Sequence, residues 1–164
     1  MNLKPIKDYE GLYSLDLNNN QVWGHKKTIY KKATLMNNGY YCIGLSKNNK
    51  STKKLLHRLI YEVYNGTIPK KMEIDHIDNN KLNNHISNLR LATHSENNCN
   101  VNVRIDNKIG YKNIYYNTKR KDYYVRISKN GKYVYKKYFK TLEEAIENRD
   151  IQLLLIHGDF CNLG

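Results

Sequence analysis

The chain has 164 residues, with 28 Lys and Arg against 15 Asp and Glu, for a formal charge of +13. A mean hydropathy of −0.80 and no apolar run longer than residues 153–156 exclude a membrane-spanning helix, which needs ~20 apolar residues. Three scattered cysteines (Cys42, Cys99, Cys161) are too few for a disulfide framework or a four-thiolate zinc site. Free thiols in a reducing, intracellular compartment are expected, and residues 1–5 show no hydrophobic secretory segment.

The charge is segregated. Residues 1–72 carry +9, 73–100 carry −2, 108–140 carry +10 and 141–164 carry −4. Two basic blocks around a short acidic one point to a polyanion for the former and a metal ion for the latter. Lys outnumbers Arg 22 to 6 and Asn is abundant, as AT-rich coding would produce. Asn runs such as 18–20 and 79–80 therefore carry no assignment without positional support.

In chain order, 13–17, 21–23, 34–36 and 40–45 read as short strands between Asn-rich turns and Asn38-Gly39. Leu59, Ile60, Val63 and Tyr64 then recur at helical spacing, giving a helix over about 55–65 that Gly66 stops. A strand over 73–77, a polar connection over 78–85 and a strand around 88–91 follow. Thr93-His94-Ser95-Glu96 has the form of a capping box, so a helix should run from Thr93 to about Val103. Strand, loop, strand, helix is a ββα unit. Beyond it, strands are expected over 114–116, 123–128 and 132–139, the last two joined by the hairpin signal Asn130-Gly131. Thr141-Leu142-Glu143-Glu144 opens a final helix with Leu142, Ala145, Ile146, Arg149, Leu153 and Ile156 on its core face, ending at Gly158. The fold class is α+β.

Chemistry concentrates at Asp75-His76, followed by Asn88 and Asn97. A carboxylate on the first strand and an amide from the first helical turn are oxygen donors of the kind Mg²⁺ or Mn²⁺ takes. Such an ion would touch a non-bridging phosphate oxygen and the leaving 3′-oxygen. An imidazole, with an ordinary pKa of ~6.5, is a suitable general base for a water.

The segment Asp75-His76, Asn88-Leu89 and Asn97 resembles the HNH endonucleases, in the branch of phage intron and homing-type nicking enzymes. His57-Arg58-Leu59-Ile60, the loop Asn79-Asn80-Lys81-Leu82-Asn83-Asn84 and Asn88-Leu89-Arg90 extend the resemblance. It implies that His76 is the general base, that Asp75 and Asn97 hold one divalent ion rather than structural zinc, and that Asn88 braces the loop behind His76. Asn98 is the substitute for Asn97 if the helix register differs by one. Asn80 stands where that branch has Gly, and Asn tolerates a left-handed conformation. His57 either packs against the ββα unit or contacts the scissile phosphate, and Arg90 either clamps a phosphate or forms a structural salt bridge. His85 and His94 are expected in solvated positions, and His25 and His157 on the surface.

The flanks carry further resemblances. Lys4-Pro5-Ile6, residues 9–14 and Asn38-Gly39-Tyr40-Tyr41 resemble an N-terminal module attached to such nucleases. Gly110-Tyr111-Lys112, Tyr124-Val125-Arg126-Ile127, Gly131-Lys132, Phe139-Lys140-Thr141 and Glu143-Glu144-Ala145 resemble the APETALA, or ethylene-response, DNA-binding domain. The expected division is 1–54 N-terminal module, 55–104 nuclease core and 105–164 DNA-binding sheet plus helix. Residues 108–140 interleave eleven Lys/Arg with eight Tyr, and alternation places Tyr124, Arg126 and Ser128 opposite the core face of Tyr123, Val125 and Ile127. Arg90, Lys112, Lys119, Arg120, Lys121, Tyr124, Arg126, Lys132 and Lys137 are the candidate DNA contacts. The function implied is Mg²⁺-dependent hydrolysis of duplex DNA, one strand per monomer. The alternatives are an inactive DNA-binding regulator and an RNA-directed nuclease.

Overall fold

Apolar residues alternating between Asn-rich turns make the N-terminal strands, and the turns themselves set the pairing. The structure, a computed structural model, describes residues 1–163. Strands β1 (Leu3–Pro5), β2 (Tyr13–Asp16), β3 (Gln21–Gly24) and β4 (Ile29–Tyr30) form an antiparallel sheet in chain order. Strands β5 (Thr34–Leu35), β6 (Tyr41–Lys47) and β7 (Lys50–Leu55) form a second. β7 was not anticipated, because its Lys-Ser-Thr-Lys-Lys pattern is exposed along nearly its whole length. Its register comes from the two-residue turn Asn48-Asn49, with φ of 51° and 60°. Two successive left-handed residues are what a type I′ hairpin turn requires, and Asn accepts that conformation. These asparagines therefore do conformational work that their abundance had obscured.

Helix α1 (Leu56–Asn65) buries His57, Leu59, Ile60 and Val63, and Gly66 ends it at φ +88°, a backbone region that favours glycine. Strands β8 (Glu73–His76) and β9 (Leu89–Ala92) pair as a two-stranded sheet. Leu15, Val22, Ile43, Leu45, Ile60, Ile74 and Leu89 share one apolar cluster. The N-terminal strands, α1 and the β8–β9 pair thus form a single compact unit covering residues 1–91.

A second compact unit begins at Ala92. Helix α2 (His94–Asn100) starts at the expected capping box: Glu96 N donates to Thr93 Oγ1 at 3.3 Å and Thr93 N donates to Glu96 Oε2 at 2.7 Å. Strands β10 (Ile114–Asn117), β11 (Asp122–Lys129) and β12 (Lys132–Phe139) make an antiparallel sheet under α3 (Leu142–His157), which opens at the Thr141–Glu144 capping box. Ile114, Val125, Ile127, Ala145 and Leu153 form its core. Arg149 is the largest fully buried side chain: Nη1 donates to the Leu163 carbonyl at 2.6 Å and the guanidinium lies over the Tyr111 ring. His157, expected on the surface, is buried and its Nε2 meets the Ser128 carbonyl at 3.1 Å. His25 is likewise half-buried, 2.8 Å from Ser14 Oγ.

Candidate active site

Strand β8 ends in Asp75 and His76, which are both buried. Asp75 Oδ2 accepts from Arg90 Nε on β9 at 2.8 Å, so Arg90 forms an ion pair inside the unit. His76 Nε2 lies 3.0 Å from the Asn84 side-chain oxygen. An amide oxygen can only accept, so the proton of that bond sits on Nε2 and the proton-accepting nitrogen is Nδ1.

Asn88 ties together the loop that delivers Asn84. Its amide nitrogen donates to Asp78 Oδ1 and to the Asn83 carbonyl, both at 2.8 Å, and its oxygen accepts from Asp78 N at 3.0 Å. Asp78 Oδ1 also accepts from Asn80 N at 2.8 Å and Oδ2 from Asn83 Nδ2 at 2.7 Å, bonds that lower the Asp78 pKa against the opposing effect of burial. Both ends of the loop are therefore anchored on one buried amide. The left-handed residue in it is Asn79, at φ 60°, and not Asn80. Asn80 instead accepts from Leu82 N through its side chain, an Asx turn.

His57 projects from the first turn of α1 into the same pocket of rings. Its centroid is 5.1 Å from that of His76, in edge-to-face contact, and 4.9 Å from that of Tyr40. Among the described residues its Nδ1 is buried without a hydrogen-bond partner. Burial first, then the charges of His76 and Arg58, push its pKa down to about 3. His57 is thus neutral and packed. Stability should fall as pH drops from ~6.5 toward 3, because the unfolded chain binds a proton that folded His57 resists; one such group contributes up to ~1.4 kcal/mol per pH unit. Urea melts between pH 7 and 4 should show a shallower acid limb in His57→Phe than in the wild type, and an unchanged limb would refute this assignment.

Asn97 lies in the first turns of α2, half-buried, with its backbone N donating to the Thr93 carbonyl at 3.0 Å. Asn98 is exposed and pairs with His94 Nε2 at 2.9 Å. His85 is exposed and caps the 3-10 turn Ile86–Asn88 through Ser87. Among the described residues no three His, Cys, Asp or Glu side chains converge. Asp75 in the first unit offers a carboxylate oxygen and Asn97 in the second an amide oxygen, and a cation on either would draw further donors from water or phosphate. That all-oxygen, solvent-rich set is the chemistry Mg²⁺ prefers.

The candidate DNA contacts divide. On the sheet face away from α3, the Tyr115, Tyr124 and Tyr138 rings form a row across β10, β11 and β12, with centroids 5.0 and 5.6 Å apart. Arg126 lies over Tyr115 and Tyr133, Lys136 over Tyr124 and Tyr138, and Arg120 over Tyr138. Arg120 also pairs with the buried Asp122 at 2.9 Å. Lys119 and Lys121 flank it in an exposed turn closed by the Asn117 side chain. Lys112 is placed differently: its ammonium donates to the Cys99 carbonyl at 2.7 Å and the Val101 carbonyl at 2.5 Å, closing the end of α2. Lys137 pairs with Val125 and so belongs to the α3 side, as does Lys132, which pairs with Lys129. Lys136 occupies the outward position instead, opposite Arg126.

Residues 54–99 match the family described as HNH endonuclease. Over this stretch the chain is similar to HNH endonucleases. A putative HNH homing endonuclease from the SPbeta prophage of Bacillus subtilis (strain 168) is 43% identical over 68 residues, covering 41% of this chain and 39% of its own. An uncharacterized HNH endonuclease of Acanthamoeba polyphaga mimivirus is 38% identical over 109 residues, 66% of this chain and 56% of its own. The DNA endonuclease I-HmuI of Bacillus phage SP01 is 36% identical over 93 residues, 57% and 53%. The matched stretches thus span about half the length of these curated relatives. A solved structure describing DNA binding and cleavage by I-HmuI superposes with a TM-score of 0.58 at 28% identity, over 97% of this chain and 91% of that one. The α+β fold agrees with that of this solved structure, and the matched stretch is similar to HNH endonucleases of phage and homing type. Two side chains beside His76 in the HNH segment's unit were not singled out from sequence. Asn84 was legible only as part of the Asn-rich loop, and Tyr40 lies outside the matched residues altogether.

Proposed function

We propose that this chain is a divalent-metal-dependent DNA endonuclease that nicks one strand of duplex DNA. The observation that carries the reading is the buried Asp75-His76 pair, with His76 oriented by Asn84 and the loop behind it clamped by Asn88. In this reading His76 Nδ1 takes the proton of a water as its oxygen attacks phosphorus in line, while Asn84 keeps the Nε2 proton in place. Asp75 and Asn97 would each offer an oxygen donor to an Mg²⁺ or Mn²⁺ ion. When bound, the ion supplies charge stabilisation at the phosphate and the leaving 3′-oxygen. Arg90 fixes the Asp75 carboxylate and its own place on β9.

Residues 1–54, 55–104 and 105–164 then act as an N-terminal module, a nuclease core and a DNA-binding sheet plus helix of the APETALA type. The outward face of Arg120, Tyr124, Arg126 and Lys136, with Lys119 and Lys121 at the turn, is the surface for duplex DNA, cations taking phosphates and arginine reading base edges. A sheet of this width suits the B-DNA major groove and not the narrow groove of A-form RNA. A monomer makes a single nick, in a reducing compartment that holds the target DNA. No helix among the described residues is long and apolar enough to cross a membrane.

A second reading, a DNA-binding regulator without catalysis, is favoured by one observation: Asp75 already carries a cationic partner in Arg90. Supercoiled plasmid and AT-rich phage DNA, each with Mg²⁺ and with EDTA, separate the two. Nicked circles in Mg²⁺ and none in EDTA are expected. Tight binding with both DNAs left intact would favour the regulator.

A further inference from the structure

Tyr40 sits just after the Asn38-Gly39 turn that joins β5 to β6, outside the HNH segment, yet it reaches the candidate base. Its ring centroid is 5.9 Å from that of His76 and 4.9 Å from that of His57, and the two imidazoles are themselves 5.1 Å apart. The turn is latched to the loop on the other side of His76. Lys81 Nζ donates to the Asn38 carbonyl at 3.2 Å and lies 4.6 Å from the centre of the Tyr40 ring. Gly39 suits the turn because its φ is +83°, a left-handed conformation that favours glycine.

The His76 imidazole donates to the Asn84 oxygen through Nε2, and the rings packed against it restrict its tilt, since interiors are close-packed and side chains there hold single rotamers. Tyr40 supplies one wall and braces His57, which supplies another. Through Lys81 the same turn grips the loop that presents Asn84. Displacing the β5–β6 turn would therefore disturb both the packing and the hydrogen bond of His76.

We propose that Tyr40 is a positioning residue for His76, contributed to the nuclease site by the N-terminal module. The proposal rests on His76 being the general base. It makes the N-terminal strands part of the cutting machinery rather than an accessory, and it assigns the latch to Lys81.

The test measures single-turnover nicking at saturating duplex, KM, duplex affinity and thermal melting for Tyr40→Phe, Tyr40→Leu and His76→Ala in the full chain. Tyr40→Phe keeps the ring and is expected to cut at the wild-type rate. Tyr40→Leu keeps apolar volume but removes the wall, and its kcat should fall by ~10–100-fold, the scale of a misplacement near 1 Å, with KM and affinity unchanged. A wild-type rate for Tyr40→Leu overturns the proposal. So does a loss of rate accompanied by lost affinity or a lost melting transition in Tyr40→Leu, which would make Tyr40 a structural residue only. Full cutting by His76→Ala would instead remove the base assignment itself, and the positioning role with it.

Discussion

Replacing His76 with alanine should lower the nicking rate by ~10²–10⁴-fold, the range a positioned general base contributes, while duplex affinity stays at the wild-type level. His76 is buried at the end of β8, where its Nε2 meets the Asn84 side-chain oxygen, so truncating it removes a proton acceptor and leaves the basic sheet residues in place. Asp75→Asn is the companion variant. It retains an oxygen that can accept from Arg90 Nε but removes the negative charge, so cutting should fall while the β8–β9 pair stays folded. Single-turnover nicking of a labelled duplex, with affinity measured in parallel, reads both. Wild-type cutting by His76→Ala would mean that another group activates the water.

Asn88→Ala should be the most damaging substitution for the loop itself. The buried Asn88 amide makes three hydrogen bonds, to Asp78 Oδ1, the Asn83 carbonyl and Asp78 N. Truncation leaves the Asp78 amide and the Asn83 carbonyl without those partners, and each orphaned group costs ~1–3 kcal/mol. A loss of roughly 2–4 kcal/mol in urea unfolding is expected on that basis. Asn84 is the next residue after Asn83, so His76 should also lose its orientation and kcat should fall. Asn88→Asp keeps the acceptor for Asp78 N but loses both donors and places a second carboxylate beside Asp78, so it should not rescue. Unfolding curves that overlay the wild type would refute the clamp.

Much of this architecture was legible before any coordinates. The capping boxes at Thr93 and Thr141 and the glycine stop at Gly66 appear where the local chemistry places them, because orphan amides at a helix start and a left-handed cap at its end are satisfied within a few residues. β12 was bounded at both ends by the Asn130-Gly131 turn and the following cap. α2 ends at Asn100 rather than near Val103, where Lys112, from beyond the helix, closes its last carbonyls. No local pattern announces a lysine thirteen residues downstream. β7 was illegible for a different reason, since an exposed polar edge has no alternation to detect and only its Asn48-Asn49 turn betrays it.

The face assignment of the C-terminal sheet shows where sequence reasoning stops. Counting outward from the Asn130-Gly131 turn in unbroken register would place Lys137 opposite Tyr124, on the outer face. The bulge between Ile127 and Ser128 shifts the ladder by one residue, so Tyr138 pairs with Tyr124 and Lys136 with Arg126. Because side chains alternate with a period of two, one inserted residue exchanges the faces of everything beyond it. Within the N-terminal unit the same division holds. Asp75, His76 and Asn88 were identifiable because their spacing along the chain is short and their chemistry specific. That Tyr40 stands against His76, that Lys81 latches the turn, and that His57 is buried and neutral are consequences of packing between segments far apart in sequence. Residue type and spacing determined which groups are candidates for the chemistry; long-range contacts, which no local pattern encodes, decided how those groups are held.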